Sequence, residues 1–175
     1  FVLTEYMIEK PFKVPNIPFY DEFDTEYQFA DYRDNLVILY FWASWCVGCN
    51  QELKQLQLFN AELEFDKVHD LEIIPMSIDQ KEVYELNNFY KSIGVDTLPV
   101  FHDENRKLTD ALDVKSLPTT FIIDKKGMVL ARIYDHLEWN NEQLEGELMA
   151  LKGEDEAHEK GQELLEKREH FNEMK

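Results

Sequence analysis

The sequence predicts a three-layer α/β domain in which helices pack on both faces of a mixed sheet. Three observations carry this reading. The apolar run Leu36–Ala43 leads through Ser44 and Trp45 into a stretch with Leu53, Leu56, Phe59 and Leu63 at helical spacing, the pattern of a buried strand feeding a helix. A second apolar run, 71–78, is followed by a helical face of Val83, Leu86, Phe89, Tyr90 and Ile93 that ends at Gly94. Residues 119–134 divide about Lys125-Lys126-Gly127 as an antiparallel hairpin, with Gly127 as its left-handed turn residue. Parallel strands first and a hairpin last, with helices between, make the sheet mixed.

Taken in order, residues 1–34 hold Pro11, Pro15 and Pro18 and then aromatic residues among acids, which predicts an extended arm followed by a hairpin or a pair of short strands. The strand at 36–43 and its helix come next. Pro75 lies inside the run 71–78, so that strand is expected to carry a bulge or an unpaired side there. Leu98–Phe101 reads as a short strand and Arg106–Leu112 as a short helix. After the hairpin, Asn140 is expected to cap a last helix from Asn141 to Leu151, ended by Gly153. The remainder, 152–175, is rich in acids, with Ala157, Leu164, Leu165, Phe171 and Met174 as its apolar residues. It predicts a solvated helical extension, the sharper alternative being a docking helix. A chain of 175 residues, 44% hydrophobic and 13% aromatic, has the material for one domain with its own core.

The two cysteines, Cys46 and Cys49, stand three apart at the predicted helix start. One helical turn brings them to the same face within disulfide reach, so the pair can close and reopen with little backbone movement. Unpaired N–H groups and the positive end of the helix dipole favour a thiolate at Cys46, which makes it the attacking sulfur and Cys49 the resolving one. Zinc would need four ligands, and the histidines are scattered singly at 69, 102, 136, 158 and 170.

Trp42-Ala-Ser-Trp-Cys-Val-Gly-Cys49 after an apolar strand resembles the active site of the thioredoxin superfamily. Glu52, the stretch Ser116-Leu-Pro-Thr-Thr-Phe-Ile-Ile-Asp124 and Leu137-Glu-Trp139 make the chain similar to the TlpA/ResA branch of extracytoplasmic members, over roughly residues 35–150. The resemblance implies a thioredoxin fold at 35–151, preceded by an N-terminal hairpin in 1–34, carrying a helix-strand-helix insertion at about 80–113 and followed by the extension 152–175. It implies a cis peptide before Pro118, in a loop facing the cysteines, with the Leu117 backbone free to pair with a substrate strand. Glu52 would relay the proton that Cys49 loses. Trp45 would shield the site and offer a flat apolar contact, and Trp42 would lie in the core. Three departures stand out: Gly48 where many relatives have proline, Lys54 where a kinking proline is common, and Tyr40 where cytosolic thioredoxins bury an aspartate.

A net charge of −18 argues against nucleic acid and anionic membrane surfaces as partners. No apolar run reaches bilayer length. The chain begins at Phe1 rather than Met, so removal of an N-terminal piece is expected, and a signal or a membrane anchor there stays open. The function implied is thiol-disulfide exchange with disulfide-containing proteins, as a reductant reset by a redox partner, with reduction of apocytochrome c as one purpose. It needs no cofactor beyond the two sulfurs, and a periplasmic monomer is expected. An oxidase or isomerase shares the motif, and a copper(I) carrier is the alternative from another class, since soft thiolates suit that metal.

Overall fold

A computed structural model describes residues 3–174, and the side chains of these apart from 154–163 and 165. The strands are β1 (Met7–Lys13), β2 (Phe19–Asp21), β3 (Glu26–Tyr27), β4 (Leu36–Trp42), β5 (Leu71–Ser77), β6 (Phe101–His102), β7 (Thr119–Ile123) and β8 (Met128–Ile133). The helices are α1 (Val47–Phe65), α2 (Val83–Ser92), α3 (Lys107–Ala111) and α4 (Glu142–Glu173). All the strands join one sheet in the order β1-β8-β7-β4-β5-β6-β2-β3. Strand β4 is parallel to β5 and antiparallel to β7, so the sheet is mixed as the element order predicts.

Every residue of β4 is buried, because both of its faces are covered. Alternation divides the strand between two cores. Leu36, Ile38, Tyr40 and Trp42 pack with Leu53, Leu56 and Phe59 of α1, Leu86 and Tyr90 of α2, and Leu144 and Leu148 of α4. Val37, Leu39 and Phe41 pack on the other face with Leu108 of α3 and with Phe19 and Phe29 of the N-terminal region. The Phe19 ring contacts those of Phe29, Tyr27 and Phe101 at centroid distances of 5.0, 6.0 and 5.4 Å, which fastens the β2–β3 pair to the sheet.

The N-terminal segment spans both edges of the sheet. Its first strand lies beside β8, and the register between them shifts between Met7 and Phe12, around Pro11, which has no N–H for a regular ladder. The hairpin β2–β3 lies at the opposite edge, beside β6. Pro75 is accommodated without a bulge: the β4–β5 register runs unbroken through Tyr40 and Pro75, and β6 pairs with β5 only from Met76 onward.

Three expectations are corrected. Only Phe101 and His102 form a strand where 98–101 was expected; Leu98 and Val100 are buried all the same, so their apolar pattern reports core packing rather than a ladder. Asn141, not Asn140, caps the last helix, its side-chain oxygen accepting from the N–H groups of Gln143 (2.8 Å) and Leu144 (3.4 Å). The helix does not end at Gly153 but runs on to Glu173. Left-handed glycines occur at Gly94 and Gly127 and not at Gly153, where the glycine is one weak residue inside a run of helix formers. Ala157, His158 and Leu165 lie among the side chains outside the description; Leu164, Phe171 and Met174 are exposed.

Candidate active site

The topology gathers the chemistry at one end of the sheet. Strands β4 and β5 end there because they are parallel; β7 begins there and β8 ends there because each is antiparallel to its neighbour. The segments that follow or precede these ends are 43–49, 78–81, 116–118 and 134–139.

Cys46 is the N-cap of α1 and Cys49 lies in its first turn; the two are bonded, with Cα atoms 5.4 Å apart. Cys46 retains 8% exposure and Cys49 none, so only the first sulfur lies within reach of a partner. No side chain caps the helix and no acid occupies its first turn, which leaves the positive end of the dipole uncompensated at Cys46. Trp45 and Val47 flank it at 62% and 87% exposure and form an apolar platform around the accessible thiol.

The loop that presents Trp45 is held from behind. Buried Asp79, just past β5, accepts from the Ser44 N–H (2.8 Å), the Ser44 hydroxyl (2.7 Å) and the Ser77 hydroxyl (2.9 Å), and Lys81 donates to Ser44 Oγ (3.0 Å). The Leu117–Pro118 bond is cis. Phe41 pairs with Thr119 across β4 and β7, which sets Pro118 level with Trp42 at the strand end from which the cysteine loop departs. Pro118 is buried and Leu117 half-buried.

One turn beyond Cys49, Glu52 is buried at 3% exposure and still has four partners. Oε1 accepts from Trp139 Nε1 (2.9 Å) and the Leu137 N–H (3.3 Å). Oε2 accepts from the Tyr40 hydroxyl (3.3 Å) and meets His136 Nδ1 at 3.1 Å. Burial pushes the Glu52 carboxyl above its usual range, and the hydrogen bonds from Trp139, Leu137 and His136 pull partly against it. Burial, followed by the Glu52 charge, pushes the Tyr40 phenol up as well, so that hydroxyl is a lasting donor. A cleft of about 250 Å³, lined by Gly48, Gln51, Glu52, Gln55, His136 and Leu137, opens this acid's surroundings to solvent.

The site residues read from sequence, Cys46, Cys49, Glu52, Trp45, Leu117 and Pro118, therefore all lie at this end of the sheet. His136, Trp139, Tyr40 and Asp79 were missed as parts of it. Counting sheet ends would have placed 134–139 and 78–81 beside the cysteines, but no local pattern announces their contacts. Among the described residues, no three His, Cys, Asp or Glu side chains converge as a metal site.

The AhpC/TSA family model matches residues 10–132. The chain is 34% identical over 116 residues to the thiol-disulfide oxidoreductase ResA of Bacillus subtilis, a match covering 66% of this chain and 62% of that one. It is 31% identical over 139 residues to ResA of Bacillus cereus, covering 79% and 76%. Among solved structures, a protein described as the thiol:disulfide interchange protein DsbE from Chlorobium tepidum superposes with a TM-score of 0.70 at 23% identity, over 83% of this chain and 99% of that one. The exposed lipoprotein thioredoxin of Streptococcus pneumoniae gives 0.65 at 25% identity, over 78% and 100%.

Proposed function

The chain belongs to the AhpC/TSA family and, within it, to the ResA-type thiol-disulfide oxidoreductases; from that premise we propose that it reduces disulfides in protein substrates outside the cytoplasm. The observation that carries this is the Cys46–Cys49 pair itself, bonded across the first turn of α1 with one sulfur at the surface and the other fully enclosed.

The reduced protein begins the reaction. The Cys46 thiolate attacks one sulfur of a substrate disulfide, a Cys46–substrate bond forms, and the other substrate sulfur leaves with the electron pair. Cys49 then loses its proton to Glu52 and attacks Cys46 Sγ, forming the Cys46–Cys49 bond and expelling the second substrate thiolate. The substrate gains two electrons and the protein is left oxidised, to be reset by an external dithiol partner. Trp45 and the Leu117-Pro118 segment form the landing surface, the former as an apolar platform, the latter as backbone at the start of β7 along which an extended substrate can lie.

All of these groups come from one copy of the chain, which supports action as a monomer. The relative described as an exposed lipoprotein supports the extracytoplasmic setting, periplasmic in a bacterium with two membranes and attached through an N-terminal anchor. Among the described residues no helix is long and apolar enough to cross a membrane. Maturation of apocytochrome c is the purpose we assign.

Two measurements test the reading. The reduced protein should cleave the interchain disulfides of insulin, and Cys46→Ala should abolish that activity; catalysis surviving in this variant sinks the mechanism. Equilibration against glutathione should give a potential near about −270 mV, whereas one near about −120 mV would make the protein an oxidant.

A further inference from the structure

In the exchange proposed above Glu52 takes the proton of Cys49, but this acid is enclosed and must pass that proton on before the next cycle. Of its four partners, the Trp139 indole and the Leu137 amide are fixed donors, and the buried Tyr40 phenol keeps its proton. His136 is the exception. Its side chain is 58% exposed, it contacts Glu52 Oε2 through Nδ1 at 3.1 Å, and it lines the solvent-open cleft. An imidazole can also take up a proton on one ring nitrogen while releasing one from the other.

We propose that His136 is a positioning residue for the exchange reaction, carrying protons between Glu52 and solvent and so setting the rate at which Cys49 resolves the mixed disulfide. The inference rests on the thiol-disulfide exchange proposed above. The same 3.1 Å contact serves both protonation states: an ionised Glu52 accepts from Nδ1–H, and a protonated Glu52 donates to a bare Nδ1. Passage outward is then a transfer from the Glu52 carboxyl to Nδ1 and loss of the Nε2 proton to water. No electron is involved, and the balance of the disulfide step is unchanged.

The helix is shaped to admit this ring. A Cβ at position 48 would overlap the His136 imidazole, so the glycine between the cysteines is what lets the ring lie over the first turn of α1. Among the described residues, the charged and titratable groups around the imidazole are few. Glu52 faces it from α1, Asp135 and Glu138 flank it in its own loop, the Tyr6 hydroxyl holds Asp135 at 2.6 Å, and Tyr40 of β4 reaches it only through Glu52. Gln51 and Gln55, also in the cleft, are neutral.

The test follows the two sulfurs separately, using an aromatic disulfide reagent that releases one coloured thiolate when Cys46 attacks and a second when Cys49 resolves. In His136→Ala the first release should keep its rate, while the second slows about tenfold near pH 7 and its pH profile moves to higher pH. Added imidazole should restore the second release by entering the vacated, solvent-open space. His136→Asn keeps an amide near the Nδ1 position but exchanges no proton; it should melt with the wild-type protein and be slow in the second release. A second release with wild-type rate and pH profile in His136→Ala, or full activity in His136→Asn, overturns the inference. If the alanine variant fails to fold, the asparagine variant decides alone. A wild-type protein that releases both thiolates but leaves insulin intact would instead overturn the proposed function.

Discussion

Glu52 stands in the core with its charge opposed by burial and supported by four hydrogen bonds, and the two effects lead to opposite predictions for stability and activity. Its folded pKa lies above the unfolded value, so the stability it contributes is fully present below the unfolded pKa and is lost as pH rises through the folded one. At pH 7 the site therefore costs stability. Glu52→Gln keeps an oxygen for Trp139 and Leu137 and removes the buried charge, so it should raise Tm at pH 7 and flatten the dependence of Tm on pH above the carboxylate range. The same variant should slow the second step of exchange and leave the attack by Cys46 intact. Calorimetry across pH with parallel stopped-flow measurements checks both, and an unchanged or lower Tm at pH 7 would refute the balance described here. Residues also mark the limit of sequence reading. Cys46 and Cys49 share the first turn of α1 and Glu52 lies one turn further on, a spacing the chain itself records, whereas His136 looked like one of several isolated histidines because its partner lies 84 positions away.

Helix α1 owes its place to an uninterrupted apolar strand before it and to Leu53, Leu56, Phe59 and Leu63 along its inner face, all legible as periodicity. Helix α4 was less legible. The sequence points to Asn140 as the cap, but the backbone gives that place to Asn141, whose extended φ of −89° and ψ of 120° turn its side chain onto the first N–H groups. Asn141→Ala should cost about 1 kcal/mol, a fall in Tm of roughly 3 °C for a chain of this size. Asn140→Ala should be near neutral; thermal melts of the two variants distinguish them, and equal losses would refute the assignment. The loss matters to the site because Trp139, two residues before the cap, donates to Glu52.

At the scale of the molecule, Asp70 ties together elements far apart in the chain. It lies just before β5, and it receives Lys152 of α4 at 2.7 Å and Lys125 of the β7–β8 turn at 3.2 Å. Partial burial raises its pKa, but the two lysines outweigh that and hold it at about 2. A carboxyl so lowered contributes stability that is present above its unfolded pKa and lost as pH falls through the folded one, here between about pH 4 and pH 2. Asp70→Asn should be less stable than wild type at pH 7, with the difference closing across that acid window. Denaturant titrations from pH 2 to pH 7 read it directly, and a constant difference between the two proteins would refute it.

What the sequence determined by itself is everything carried by neighbours along the chain: the order of strands and helices, the paired sulfurs at a helix start, the acid one turn on, and the proline before β7. These depend on periods of two and 3.6 residues and on local backbone chemistry, which a linear string records. What only the tertiary structure decided is which distant side chains share an environment. The sheet ends deliver Asp79 to Ser44 and His136, Trp139 and Tyr40 to Glu52. Those contacts arise from strand order and direction across the sheet, and side chains brought together that way leave no repeating mark on the segments they come from.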